Sequence, residues 1–162
     1  YVYRVDKIDN NYLVSLREDI AKTFKTYSFK NDLDGNFLIK NEDRPKASHL
    51  NSEYLSVIFR LNYKKALAEG DFYVFGGISN WEIKDDFKLK YNPEENIFEC
   101  TALIKQGYYD YEYVYVKDGV IDEAKVEGTH FATQNEYTIQ VYWTDNFGEE
   151  RLIGHQTFLA HP

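Results

Sequence analysis

Tyrosine recurs at every second position of Gly107-Tyr-Tyr-Asp-Tyr-Glu-Tyr-Val-Tyr-Val116. A strand has a side-chain period of two, so Tyr109, Tyr111, Tyr113 and Tyr115 share one face of an extended chain. A helix would scatter the same residues around its circumference and bury none of them together. The opposite face carries Asp110 and Glu112, so the segment reads as a long core strand with a solvated back. Its tyrosine row reads as packing, with the hydroxyls reaching the rim. The competing reading, an aromatic platform for a sugar or peptide, carries less weight.

The rest of the sequence repeats this style. Tyr1–Asp6 and Tyr12–Leu16 read as a first hairpin. Glu53–Leu61, Asp71–Phe75, Phe87–Tyr91 and Ile97–Ile104 read as strands, and Asn135–Thr144 with Arg151–Leu159 as a last hairpin. Turn residues separate them: Pro93 in Asn92–Asn96 and the pair Asp118-Gly119. Thr23–Phe29 and Asn36–Lys40 flank a further turn at Asp34-Gly35. A capping-box pattern, Ser15-Leu-Arg-Glu18, predicts a short helical turn over Arg17–Ala21. Val116–Asn135 reads as a long loop. Closely spaced strands punctuated by turns predict an all-β antiparallel sandwich preceded by β-hairpins, which the first resemblance below makes immunoglobulin-like. Asn41–Asn51 is polar and carries Pro45, and it is placed as the boundary. Residues 1–48 are then a β-hairpin segment, which the second resemblance below implies is left from a preceding β domain, and residues 49–162 the sandwich.

Composition bounds the function. With 15 Tyr and 11 Phe in 162 residues, disorder is excluded. A formal net charge of −8 disfavours nucleic acid and anionic membrane as partners. No apolar run is long enough to span a bilayer as a helix. The chain contains no Met, which predicts that it is cut from a longer protein, so that any signal peptide upstream is not visible in it.

The catalytic inventory is thin. Cys100, the only cysteine, sits on an apolar strand without nearby positive charge and reads as an inert core thiol. His49, His130, His155 and His161 show no metal-ligand spacing. Asp32-Leu-Asp-Gly35 resembles a calcium loop but places its glycine fourth, where an EF-hand needs it sixth. No catalytic, cofactor-binding or metal residues are assigned. The candidate binding surface is instead drawn from loops and exposed aromatics: Ile78, Asn80, Trp81, Tyr108, His130, Phe131 and Phe147. Trp81 either stacks on a sugar or plugs the end of the sandwich. Trp143 reads as packing.

Two resemblances sharpen this. Gly70-Asp-Phe-Tyr-Val-Phe-Gly-Gly-Ile-Ser-Asn-Trp81, followed by Gly107-Tyr-Tyr-Asp-Tyr-Glu-Tyr113, resembles the early-set immunoglobulin-like modules found in glycogen-binding proteins. A wider match runs through Asp34-Gly-Asn-Phe37, Glu53-Tyr-Leu-Ser-Val-Ile-Phe59, Leu103-Ile-Lys-Gln-Gly-Tyr-Tyr109, Glu127-Gly-Thr-His130, Thr133-Gln-Asn-Glu-Tyr137 and Arg151-Leu-Ile-Gly154. It resembles the C-terminal part of the plug protein family of the Bacteroidota type IX secretion system, formerly a domain of unknown function. It departs from that family at Asp145-Asn-Phe-Gly148, where an Arg- or Tyr-rich loop is usual. The resemblance implies a non-enzymatic, periplasmic, outer-membrane-associated component that closes a translocon pore. The alternative is a carbohydrate-binding module.

Overall fold

The structure, a computed structural model, describes residues 1–9, 11–23, 33, 35–63, 69–129 and 135–160. In chain order the strands are β1 Val2–Ile8, β2 Asn11–Leu16, β3 Asp19–Ile20, β4 Phe37–Ile39, β5 Tyr54–Asn62, β6 Asp71–Phe75, β7 Lys90–Asn92, β8 Ile97–Lys105, β9 Gly107–Tyr109, β10 Glu112–Lys117, β11 Val120–Asp122, β12 Asn135–Thr144 and β13 Glu150–Ala160. Two four-residue helices join them, α1 Ser48–Asn51 and α2 Ala124–Glu127. The fold is all-β, and its core is a sandwich. The chain divides into two compact units, Tyr1–Gly128 and Thr129–Pro162.

In the first unit a six-stranded sheet runs β1-β2-β5-β8-β7, with β3 also on β5, and it is packed against a three-stranded sheet ordered β11-β10-β6. Alternation selects the core. Val57, Phe59 and Leu61 of β5 pair across the ladder with Ala102, Cys100 and Phe98 of β8, and all six are buried. Phe72 and Val74 of β6 meet them with Tyr113 and Tyr115 of β10. Phe72 packs edge-on to Phe98, with ring centroids 4.9 Å apart, and tilts against Tyr63 at 4.8 Å. The other face of the small sheet is covered as well, since Tyr73, Phe75 and Val114 are buried with Ile83 packed on them. That double covering explains why β6 is a continuous apolar run rather than an alternating one.

Tyr113 and Tyr115 are core and Tyr111 packs against it, as the period implies, but the strand carrying the row is broken and Tyr109 stacks instead on half-exposed Phe37. β9 pairs with β4, while β10 pairs with β6 and β11, and Asp110–Tyr111 lies between them. The buried hydroxyls are satisfied. Tyr111 and Tyr113 donate to the Asp19 carboxylate at 2.8 and 3.2 Å, and Tyr115 donates to the Glu69 carbonyl at 2.9 Å.

Several expectations are corrected. Arg17–Ala21 forms no helical turn; Asp19–Ile20 lies parallel to Leu61–Asn62, with the two tyrosines holding Asp19 in place. The sheet is not wholly antiparallel, because β2 and β3 both run parallel to β5. The division near residue 48 is replaced by one at Gly128–Thr129. β2 lies directly against β5, so the first hairpin is the edge of the main sheet, not a separate remnant. The polar 41–51 segment is a tethered loop. Buried Asn41 donates to the Asn51 carbonyl and accepts from the Asp43 and Arg44 amides, each bond 3.0 Å. The 116–135 stretch contains β11 and α2; Asp118 and Gly119, both at positive φ, make the two-residue turn between β10 and β11. Thr23–Phe29 falls almost wholly outside the described residues, as do Asp32, Asp34, His130, Phe131 and His161.

The second unit is the β12–β13 hairpin, paired from Asn135↔Ala160 to Thr144↔Glu150 with a bulge at Val141/Tyr142. Asp145 holds its turn. The carboxylate accepts from the Phe147 amide at 2.8 Å and the Glu149 amide at 3.0 Å.

Candidate functional site

The Ile78–Trp81 loop is built by backbone contortion. β6 ends at Phe75, a single 3-10 turn covers Gly77–Ser79, and Asn80 and Trp81 follow with φ of 58° and 57°. A bulky residue in the left-handed region is strained and persists only where its surroundings hold it. Here the Trp81 amide donates to the Gly76 carbonyl at 2.9 Å, and the indole packs edge-on to Phe75 at 5.4 Å. The ring also lies over Gly35, where a Cβ would stand 2.6 Å from it, and the Gly77 amide donates to the Gly35 carbonyl at 3.0 Å. Ile78 turns inward onto the main core, whereas Asn80 is exposed and Trp81 remains 53% exposed. The indole therefore both seals Gly35 and shows about half its surface to solvent.

Tyr108 lies on the β4–β9 pair, opposite Leu38. Its hydroxyl donates to Glu42 Oε1 at 2.8 Å, and the Lys40 ammonium bridges to the same carboxylate at 2.9 Å while standing 5.6 Å from the ring. Hydrogen bonds from Lys40 and Tyr108 hold the Glu42 carboxyl below its ordinary range, and the bond to Glu42 raises the Tyr108 phenol. Trp81 and Tyr108 thus border one segment, Gly35–Ile39. Its Phe37 and Leu38 are also exposed.

Phe147 stands elsewhere, at the tip of the hairpin, and is 93% exposed. The hairpin itself supplies the feature that single-residue reading passed over. Cross-strand partners share a face, so the register assigns Tyr137, Ile139, Val141 and Trp143 of β12 to one side, with Phe158 of β13. Tyr137 stacks on Phe158 with centroids 5.7 Å apart. The other side is mixed: it carries Glu136, Gln140, His155 and the hydrogen-bonded pair Thr138–Thr157, together with Tyr142, Leu152 and Leu159. Every member of the apolar row, Trp143 included, is 45–54% exposed. The signal was present as alternation from Glu136 to Val141, which Tyr142 then interrupts. The two remaining candidates, His130 and Phe131, lie outside the described residues.

The chemistry elsewhere is structural. Burial pushes the Cys100 thiol up to about 12. Burial and the Asp19 carboxylate also raise Tyr111 and Tyr113, so both stay neutral donors. Among the described residues no group of three or more His, Cys, Asp or Glu could hold a metal, and no helix is long and apolar enough to cross a membrane. Two open depressions, of about 540 and 340 Å³, meet at Gly70–Asp71. The first is lined by Glu69, Lys117 and Gly119, the second by Phe72, Lys88 and Tyr91.

No protein family and no curated protein matches the sequence. Among solved structures, the chain is similar to a hypothetical protein from Parabacteroides merdae ATCC 43184, with 32% identity and a TM-score of 0.84. The match covers 98% of this chain and 40% of that one, so the chain spans well under half the length of that relative.

Proposed function

We propose that this is a non-catalytic binding component that docks on a partner protein through the apolar face of β12–β13. Its partner is an outer-membrane translocon whose pore it closes from the periplasmic side. One observation carries the binding reading: five large apolar side chains, Tyr137, Ile139, Val141, Trp143 and Phe158, form one half-exposed row on a single face of the hairpin. A two-stranded hairpin is marginal alone in water, and a contiguous exposed apolar patch marks an interaction site. The choice of translocon as partner rests on the resemblance to the plug family, whose motifs fall here on β5, β8–β9, the end of α2, β12 and β13. The mechanism is steric: a rigid sandwich carries a sticky hairpin to a barrel mouth, and no bond is made or broken.

Affinity capture from mild-detergent outer-membrane extracts tests this. The expected result is recovery of a large β-barrel subunit by the wild type, and its loss with Ile139→Thr combined with Trp143→Thr. Recovery of no barrel subunit by the wild type would remove the translocon reading.

A second reading, a carbohydrate-binding module, draws support from the half-exposed Trp81 indole. It requires retardation in α- or β-glucan gels that Trp81→Ala abolishes. Unretarded migration of the wild type excludes it.

A further inference from the structure

β1, Val2–Ile8, is the outermost strand of the six-stranded sheet, and among the described residues β2 is the strand it pairs with. On that side it is well held. The ladder runs to Ile8↔Asn11, and the Arg17 amide donates to the Tyr1 carbonyl at 2.9 Å. An outermost strand keeps a row of backbone N–H and C=O groups pointing away from its sheet, where a further strand can add. Proline is one device that blunts such an edge, and β1 has none. Six of its seven residues are exposed. Tyr3 is 71% exposed, and Val2, Val5 and Ile8 are 53–55% exposed. A bulge between Val2 and Arg4 bends the start of the strand and leaves Arg4–Ile8 as its regular part.

The charges of β1 exclude most registers with its own copy and permit one. In an antiparallel pair, residues directly opposite one another point to the same side, and side chains alternate along each strand. A strand paired with its copy about a two-fold axis therefore has that axis through a residue, not between two. Centring on Arg4, Asp6 or Lys7 sets like charges directly opposite, which is destabilising. Centring on Val5, the midpoint of β1, does the reverse. Val5 meets its own copy, Arg4 meets the second copy's Asp6, and Asp6 meets its Arg4. Tyr3 then faces Lys7, a cation beside an aromatic ring, and Val2 faces Ile8. Arg4 and Asp6 already bridge at 2.7 Å within the strand, so two copies complete a ring of four alternating charges.

We propose that β1 is a self-recognition edge: two copies of this chain pair antiparallel through Val2–Ile8, with the two-fold axis at Val5, and join their main sheets into one. The interface is isologous, so every contact occurs twice. It is small and its charges are exposed, which makes the dimer weak and salt-sensitive. It uses the first unit alone and does not depend on what the hairpin unit binds.

Sedimentation equilibrium of the whole chain from about 10 μM to about 1 mM, the range for a contact of this size, is the test. The wild-type mass should rise toward twice that of one chain. Arg4→Asp sets carboxylates against each other at two places and should weaken the dimer on the order of tenfold. Arg4→Asp combined with Asp6→Arg should restore it. A wild type that stays monomeric overturns the proposal, as does a dimer that Arg4→Asp leaves unchanged or that the exchanged pair fails to restore. Disulfide trapping reads the register independently. Cys100 is buried and is the only native cysteine. On mild oxidation Val5→Cys should therefore cross-link to its own copy, and Lys7→Cys, which faces Tyr3, should not. Equal cross-linking from both positions, or none from Val5→Cys, refutes the pairing.

Discussion

Cys100 shows how burial settles a residue's chemistry. Its thiol faces Phe59 across the β5–β8 ladder and is 9% exposed. Nucleophilic sulfur is thiolate, and burial pushes this thiol up to about 12, so at pH 8 it remains neutral and screened. Reaction with a disulfide reagent at pH 8 should be negligible in the folded chain and stoichiometric after denaturation. Rapid labelling of the native protein would show that the strand is not where it is described. The inertness of Cys100 was legible, because an apolar strand context and the lack of neighbouring cations already argued for it. Glu112 was not legible. Alternation places it opposite the tyrosines and hence in water, and nothing local reveals that it is half-buried. Trp81 was half legible: the glycines before it announce a turn, but its seat over Gly35 joins positions 46 residues apart.

At the level of elements, alternation and turn chemistry located β1, β2, β5, β6, β8, β12 and β13 to within a residue or two. What they missed was decided by distant partners. β3 is a strand because Leu61–Asn62 offers a parallel edge and two tyrosines grip Asp19, which outweighs the local capping box. α2 exists because Val126 finds a place in the core. Removing two methyl groups there should therefore cost more than a loop residue would. Val126→Ala is expected to destabilise the first unit by about 2 kcal/mol, from the lost transfer energy and the cavity left behind. Urea unfolding followed by tyrosine fluorescence or circular dichroism measures this. A change below about 0.5 kcal/mol, the range of surface substitutions, would mean that α2 does not anchor the chain.

For the whole molecule, the sandwich class was readable and the division of the chain was not. A polar, proline-containing stretch around Pro45 looks like a linker, yet Asn41 ties that loop into place and β2 docks on β5. The separate unit is the C-terminal hairpin, which sequence reasoning had merged with the sandwich. That hairpin also carries a row of half-exposed aromatic and branched side chains on one face, and it ends in Phe147, held out by the Asp145 turn. The central claim is that this face meets a protein of the outer membrane. Site-specific photo-crosslinking from position 143 in living cells addresses it most directly, with the photoreactive residue replacing Trp143 on the row and Thr138 on the opposite face as the control. The account predicts an adduct with an outer-membrane β-barrel subunit from position 143 and none from position 138. Equal adducts from both faces, or no adduct from position 143 in a folded protein, would contradict it.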